Sequence, residues 1–174
     1  MTPQDYVTRC VIPATAKLLP VEMDSTPAWA MLLAIGRQES GFRYRRQVAG
    51  RRAGETVYGP ARGWWQFEMG GTEGVLEHPS TREVADGVLS ALGYAGARAR
   101  DCHLALEHND VLACAFARLL LWTDPRALPT DAHGAPQGWL IYLATWRPGQ
   151  PHVQTWNGHF DHAWATTWPG TVRA

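Results

Sequence analysis

The stretch Ala-Trp-Ala-Met-Leu-Leu-Ala-Ile-Gly-Arg-Gln-Glu, residues 28 to 39, constrains this chain more than any other. It reads as one helix, with Thr26 as N-cap, Pro27 at the first helical position and Gly41 as the stop. At helical spacing Leu32, Ile35, Gly36 and Glu39 share a face, so the carboxylate points where the core side chains point. Desolvation and the partial negative charge at a helix C-terminus both raise the pKa of a group so placed. A carboxyl that stays protonated near neutral pH can act as a general acid.

A chain of 174 residues can bury one real core, and a single domain over 1–174 is the expected organisation. Sixteen basic residues balance sixteen acidic ones, so the molecule as a whole has no polyanion-binding character, and nucleic acid is not the expected partner. Locally the balance fails. Arginines 37, 43, 45, 46, 51, 52 and 62 stand against only Glu39 and Glu55, a run that can either attract an anionic polymer or form a solvated loop surface. Most of the nine tryptophans are expected in the core or between helices, but Trp64-Trp65 and the set Trp146, Trp156, Trp164 and Trp168 exceed what a small core needs and are candidates for a groove whose flat rings suit sugar faces.

Cys10, Cys102 and Cys114 are odd in number and irregular in spacing, which points to reduced thiols rather than a disulfide framework. Neither Cys102, His103, His108 and Cys114 nor the His159-Phe160-Asp161-His162 cluster fits a zinc spacing, so no metal is expected. The N-terminal residues lack a basic leader followed by an apolar run, and no stretch is long enough to span a bilayer. The expectation is a protein without a signal peptide.

Along the chain, a first helix over Gln4 to Leu19 is interrupted by Pro13. Glycines 41, 50, 54 and 59 with Pro60 mark residues 41 to 63 as a loop or short hairpin. Trp64, Trp65 and Phe67 suggest a helix start closed by Gly70-Gly71, and residues 80 to 98 suggest another helix with Ser80 or Thr81 as cap. The strongest periodicity runs from Asn109 to Trp122, with Asn109 as N-cap. A short apolar helix from Trp139 to Trp146 precedes a tryptophan-rich tail. The fold class is therefore mainly α, of the α+β type, with helices packed on helices and one irregular or β-hairpin lobe.

Three motifs then fall in order: Glu39-Ser40-Gly41-Phe42; Ala61-Arg62-Gly63-Trp64-Trp65-Gln66; and Ala144-Thr145-Trp146-Arg147-Pro148-Gly149, continuing to Val153 and Trp156. In that order they resemble the soluble lytic transglycosylase branch of the lysozyme-like superfamily, which carries Glu-Ser-Gly-Phe, Gly-Ala-x-Gly-Leu-Met-Gln and Ala-Tyr-Asn-Ala-Gly-Pro-Gly-x-Val-x-x-Trp. The resemblance covers residues 28 to 156. It implies a lysozyme-like fold and an enzyme that cuts the glycan strands of bacterial peptidoglycan without metal or cofactor. Glu39 would protonate the glycosidic oxygen between N-acetylmuramic acid and N-acetylglucosamine, and a 1,6-anhydro product would form.

The resemblance also implies that Ser40 and Gln66 hydrogen-bond the glutamate region or the sugar. Trp64 and Trp65 stand where the family has Leu-Met. Trp146-Arg147 replaces the family's Tyr-Asn, so the tyrosine hydroxyl that lies near the glutamate is expected to be missing. Trp146 would wall the groove, and Arg147 would donate either to substrate or to Glu39 itself, the second of which would lower the glutamate's pKa. A hydrolytic lysozyme needs a second carboxylate, about 5–9 Å from the first. Glu55 is the candidate, and a structural role is expected for Glu68. The small size and missing leader suggest a bacteriophage protein, either a virion or tail component that opens the wall or an endolysin. The rival from another class is an inactive lysozyme-like structural component of the virion.

Overall fold

The computed structural model describes residues 1–167 of the chain, so Trp168 lies outside the described residues. It is mainly helical with one two-stranded antiparallel sheet, which fits an α+β class. The chain opens with α1 (Pro3–Tyr6), whose Thr2–Asp5 capping box satisfies both end donors, and continues through a π-helical turn over Val7–Val11 into α2 (Ile12–Ala16). Pro13 explains the widened turn. It has no N–H to give Arg9, and its ring would strike that carbonyl in a regular α-helix, so the Ile12 amide reaches back to Val7 instead.

The helix read at 28–39 is α3 (Thr26–Glu39), but its cap is Ser25 rather than Thr26. The Ser25 hydroxyl accepts from the Ala28 amide at 3.4 Å, which places Thr26 and Pro27 inside the first turn. Every residue from Ala28 to Gly36 is buried. Such a helix has no solvent face and must be covered on all sides, here chiefly by α7 (Asp110–Trp122) and α9 (Val153–Thr166). Gly41 stops it with φ +59°, and Phe42 folds back over the last turn. A Cβ on Gly36 would sit 2.4 Å from the Phe42 ring, so the glycine is what lets that ring lie on the helix.

The arginine-rich segment is a hairpin, β1 (Arg46–Arg52) and β2 (Glu55–Arg62), joined at Ala53-Gly54 with both residues at positive φ. Most of its side chains are solvent-exposed, and its root is pinned rather than its length. Arg45 makes a double contact with Asp110 at 2.8 Å, and Arg62 pairs with Glu107 at 3.0 Å. Arg45 also lies over the Trp64 ring at 4.1 Å, and Arg46 over Tyr58 at 4.6 Å. Part of the arginine run is thereby committed to the hairpin itself.

The predicted helix start at Trp64 is wrong. Residues 64–67 form a tight turn with Gly63 and Gln66 both at positive φ, closed by a bridge between Arg62 and Phe67. The helix begins later as α4 (Met69–Glu77) and runs straight through Gly70 and Gly71. At Gly71 an added Cβ would press on the Phe67 ring at 3.3 Å, so the glycine serves packing instead of ending the helix.

Residues 80 to 98 hold a shorter helix than expected, α5 (Arg82–Ala91), and a separate α6 (Ala99–Ala105) follows. Helix α7 matches its sequence reading, with the Asn109 side chain accepting from the Leu112 amide at 3.0 Å. Helix α8 (Ala135–Trp146) starts four residues before Trp139, and the tryptophan-rich tail forms α9.

Most tryptophans serve the core. Trp29, Trp65 and Trp156 are fully buried, each with its indole N–H donated, to Asp24, the Leu32 carbonyl and the Ala135 carbonyl respectively. Among the described residues no helix is long and apolar enough to cross a membrane.

Candidate active site

Glu39 is the last residue of α3 and opens into a cleft of about 1400 Å³. Its pKa is raised to about 7. Burial is the largest cause, and the nearby charge of Glu68 adds to it. One contact opposes both: the Tyr142 hydroxyl donates to Glu39 Oε1 at 2.6 Å, a bond that favours the ionised form. Near neutral pH the carboxyl therefore stands poised between its two states, with Oε1 engaged and Oε2 left for the cleft.

Tyr142 corrects the expectation of a missing hydroxyl. It lies one helical turn before Trp146 on α8, on the same face, and reaches the glutamate from there. Its ring is buried and stacks on Trp156 at 5.3 Å with 13° between planes, so the hydroxyl is aimed by packing. Burial, and then the adjacent glutamate, push the phenol well above its usual range and keep it a donor.

Trp146 lines the cleft, but its indole N–H is spent on the Trp65 carbonyl at 2.9 Å, and its ring packs edge-on against Phe67. Arg147 also lines the cleft, in a left-handed conformation (φ +48°) at the end of α8. Its Nε turns back to the Ala144 carbonyl at 3.3 Å, and no ion pair with Glu39 is formed among the described residues. The guanidinium thus does not clamp the acid.

Ser40 lies beside the glutamate and joins two of the sequence motifs. Its hydroxyl donates to the Trp64 carbonyl at 2.7 Å and accepts from the Phe42 amide at 3.1 Å. Gln66 lines the cleft while its amide nitrogen braces the loop, donating to the Gly63 carbonyl at 2.8 Å.

Three site expectations fail. Trp64 and Trp65 are 3% and 0% exposed, so they support the floor from beneath and offer no ring to a ligand. Glu55 sits at the far end of the hairpin, paired with Arg52 beside the turn, exposed and outside the cleft lining. The hairpin carries it outward, since the strand ends that meet at the turn are exposed and only the root of the hairpin is buried.

The second carboxylate in the cleft is Glu68, for which a structural role was expected. It occupies the N-cap position of α4, yet its side chain makes no capping bond. Among the described residues it forms no ion pair either.

His152 and His159, at the cap and within α9, also line the cleft, and were missed because α9 itself was. Gln38 ties α3 to it, donating to the His152 carbonyl at 3.0 Å and accepting from Thr155 at 3.1 Å, with His159 Nδ1 at 3.0 Å. Elsewhere, Cys102 and Cys114 are buried, and burial pushes the Cys114 thiol up to about 12. His103 Nε2 donates to the Phe67 carbonyl at 2.9 Å. Among the described residues no three His, Cys, Asp or Glu side chains converge.

Comparison with protein families, with curated proteins and with solved structures found no match for this chain.

Proposed function

We propose that this protein has a lysozyme-like fold and cleaves the β-1,4 bond between N-acetylmuramic acid and N-acetylglucosamine in peptidoglycan, with Glu39 as its acid. The observation that carries the reading is a glutamate with pKa about 7, its Oε1 held by Tyr142, at the edge of a cleft of about 1400 Å³. The element order supports it too, since a hairpin lobe follows directly on the helix that ends in the acid. The protonated carboxyl gives its proton from Oε2 to the leaving glycosidic oxygen. The resulting carboxylate is steadied by the Tyr142 hydroxyl and then takes the proton of the sugar's own 6-hydroxyl as that oxygen closes on the anomeric carbon. A 1,6-anhydro product results, and neither metal nor cofactor enters. The working place of such an enzyme is the bacterial wall, reached as a bacteriophage virion or tail component or as an endolysin.

A second reading has its own observation. Glu68 faces the same cleft and its carboxylate is uncommitted, so it can serve as the base that activates water in a hydrolase. The test is clearing of purified wall by wild type beside Glu39→Gln, with mass spectrometry of the released muropeptides. Loss of about 10²–10⁴-fold in Glu39→Gln is expected for removal of a general acid. Anhydro ends support the transglycosylase and reducing ends the hydrolase. Equal clearing by both proteins, or none by either, would end the enzymatic reading and leave a structural virion component.

A further inference from the structure

Behind the rim of the cleft lies a second cavity of about 1100 Å³, between the N-terminal helix, the end of α3 and α9. The two cavities meet at Arg37, Gly41, Arg43 and Tyr44, which line both. The second cavity is cationic. Arg9, Arg37 and Arg43 contribute to it, and the one carboxylate there among the described residues, Asp5, accepts from the Thr2 amide at 2.8 Å within the capping box. None of the three guanidiniums has a carboxylate partner among the described residues.

Arg37 is the telling member. Its Nη1 donates to Gln4 Oε1 at 2.6 Å, but its Nε is buried with no acceptor. A buried donor on a charged group without a partner costs free energy, and a partly buried guanidinium gains from a counter-ion. Something anionic and planar would satisfy both, because a guanidinium fork matches a carboxylate in two parallel bonds. His162, on the α9 side, stays a neutral donor or acceptor near pH 7, since burial and then Arg37 hold its pKa down.

We infer that this cavity is a carboxylate subsite that takes the stem peptide of peptidoglycan while the sugar strand occupies the adjoining cleft. The inference rests on the proposed function: the carboxylates of a stem peptide lie several bonds out from the sugar, far enough to enter a cavity beside the cleft, whereas a stripped strand keeps only the lactyl carboxylate close to its ring. It assigns to the arginines the choice of substituted over bare strands. Chemistry at the anomeric carbon stays with Glu39.

The test compares cutting of intact wall glycan with cutting of strands stripped of their peptides by an amidase. Wild type should show a KM about 10-fold lower on the peptide-bearing strands, the size of one charge-assisted pair. Arg37→Gln should erase that preference by raising KM on them; because Arg37 also lines the cleft, the ratio of KM on the two strands is the readout. Arg9→Gln, an exposed change on the far wall, should act in the same direction should Arg37→Gln fail to fold. Titration of muramyl dipeptide into ¹⁵N-labelled protein should shift the Arg37 side-chain Nε–H resonance. Equal KM on both strands in wild type, or a shift with inorganic phosphate and none with the dipeptide, overturns the inference. Failure to cut either strand would instead overturn the proposed function.

Discussion

At the scale of single residues, Glu39 is held between opposed influences, and each can be removed separately. Tyr142 favours the carboxylate, while burial and Glu68 favour the acid. Tyr142→Phe should therefore move the Glu39 titration upward from about 7, and with it the alkaline limb of kcat/KM, whereas Glu68→Gln should move both downward. Carbon-13 NMR of the labelled glutamate carboxyl reads the first quantity directly. Movement of both variants in the same direction would contradict the arrangement. Under transglycosylation Glu68→Gln keeps its rate and only shifts the limb; under hydrolysis with Glu68 as base it loses its rate.

The sequence pointed at Glu39 because a charged residue ends an apolar helix, a pattern visible without coordinates. It did not point at Tyr142, because the motif position of the family's tyrosine is held by Trp146, and the hydroxyl comes from one turn earlier. For Glu68 the sequence suggested a structural role, because nothing local distinguishes a glutamate that caps a helix from one that leaves it uncapped.

At the scale of elements, what could be read was set by how local the cause was. Helix α7 was legible from its own periodicity and its Asn109 cap, and the hairpin from its glycines. Helix α4 was not, because Gly70 and Gly71 are helical for a tertiary reason, the Phe67 ring lying against Gly71. The same kind of contact fixes the turn after Glu39. Gly36→Ala would gain up to about 1 kcal/mol in helix propensity, but its Cβ meets the Phe42 ring at 2.4 Å. The clash should win, with a net loss of about 1–3 kcal/mol in urea unfolding and a fall in activity as the Ser40–Phe42 turn shifts.

The hairpin predicts the opposite. Deleting Arg51, Arg52, Glu55 and Thr56 removes two exposed cross-strand pairs and keeps the Ala53-Gly54 turn. Stability should change by no more than about 0.5 kcal/mol, since no buried contact is lost. Wall cutting should persist; its disappearance would return Glu55 to the site.

At the scale of the whole molecule, a carboxyl with a raised pKa is a load that the rest of the fold must carry. Helix α3 buries nine consecutive residues against α7 and α9, and that burial is what holds Glu39 half out of water. The sign of the pH dependence follows. Below about pH 4.5 the glutamate is protonated in both folded and unfolded chains and costs nothing. As pH rises from there to about 7, the unfolded chain releases the proton and the folded one retains it, so wild-type stability falls; above about 7 both are ionised and the loss is complete.

Glu39→Gln removes the titration and keeps an acceptor for the Tyr142 hydroxyl. Its thermal midpoint should match wild type near pH 4 and exceed it at pH 8. The gain should reach about 1–3 kcal/mol, discounted because the side chain is not fully buried. Calorimetry at a series of pH values checks this without any assay of function. Stability curves that stay parallel from pH 4 to pH 8 would mean that Glu39 ionises as freely inside the folded protein as outside it, and the acid role would fall with that result.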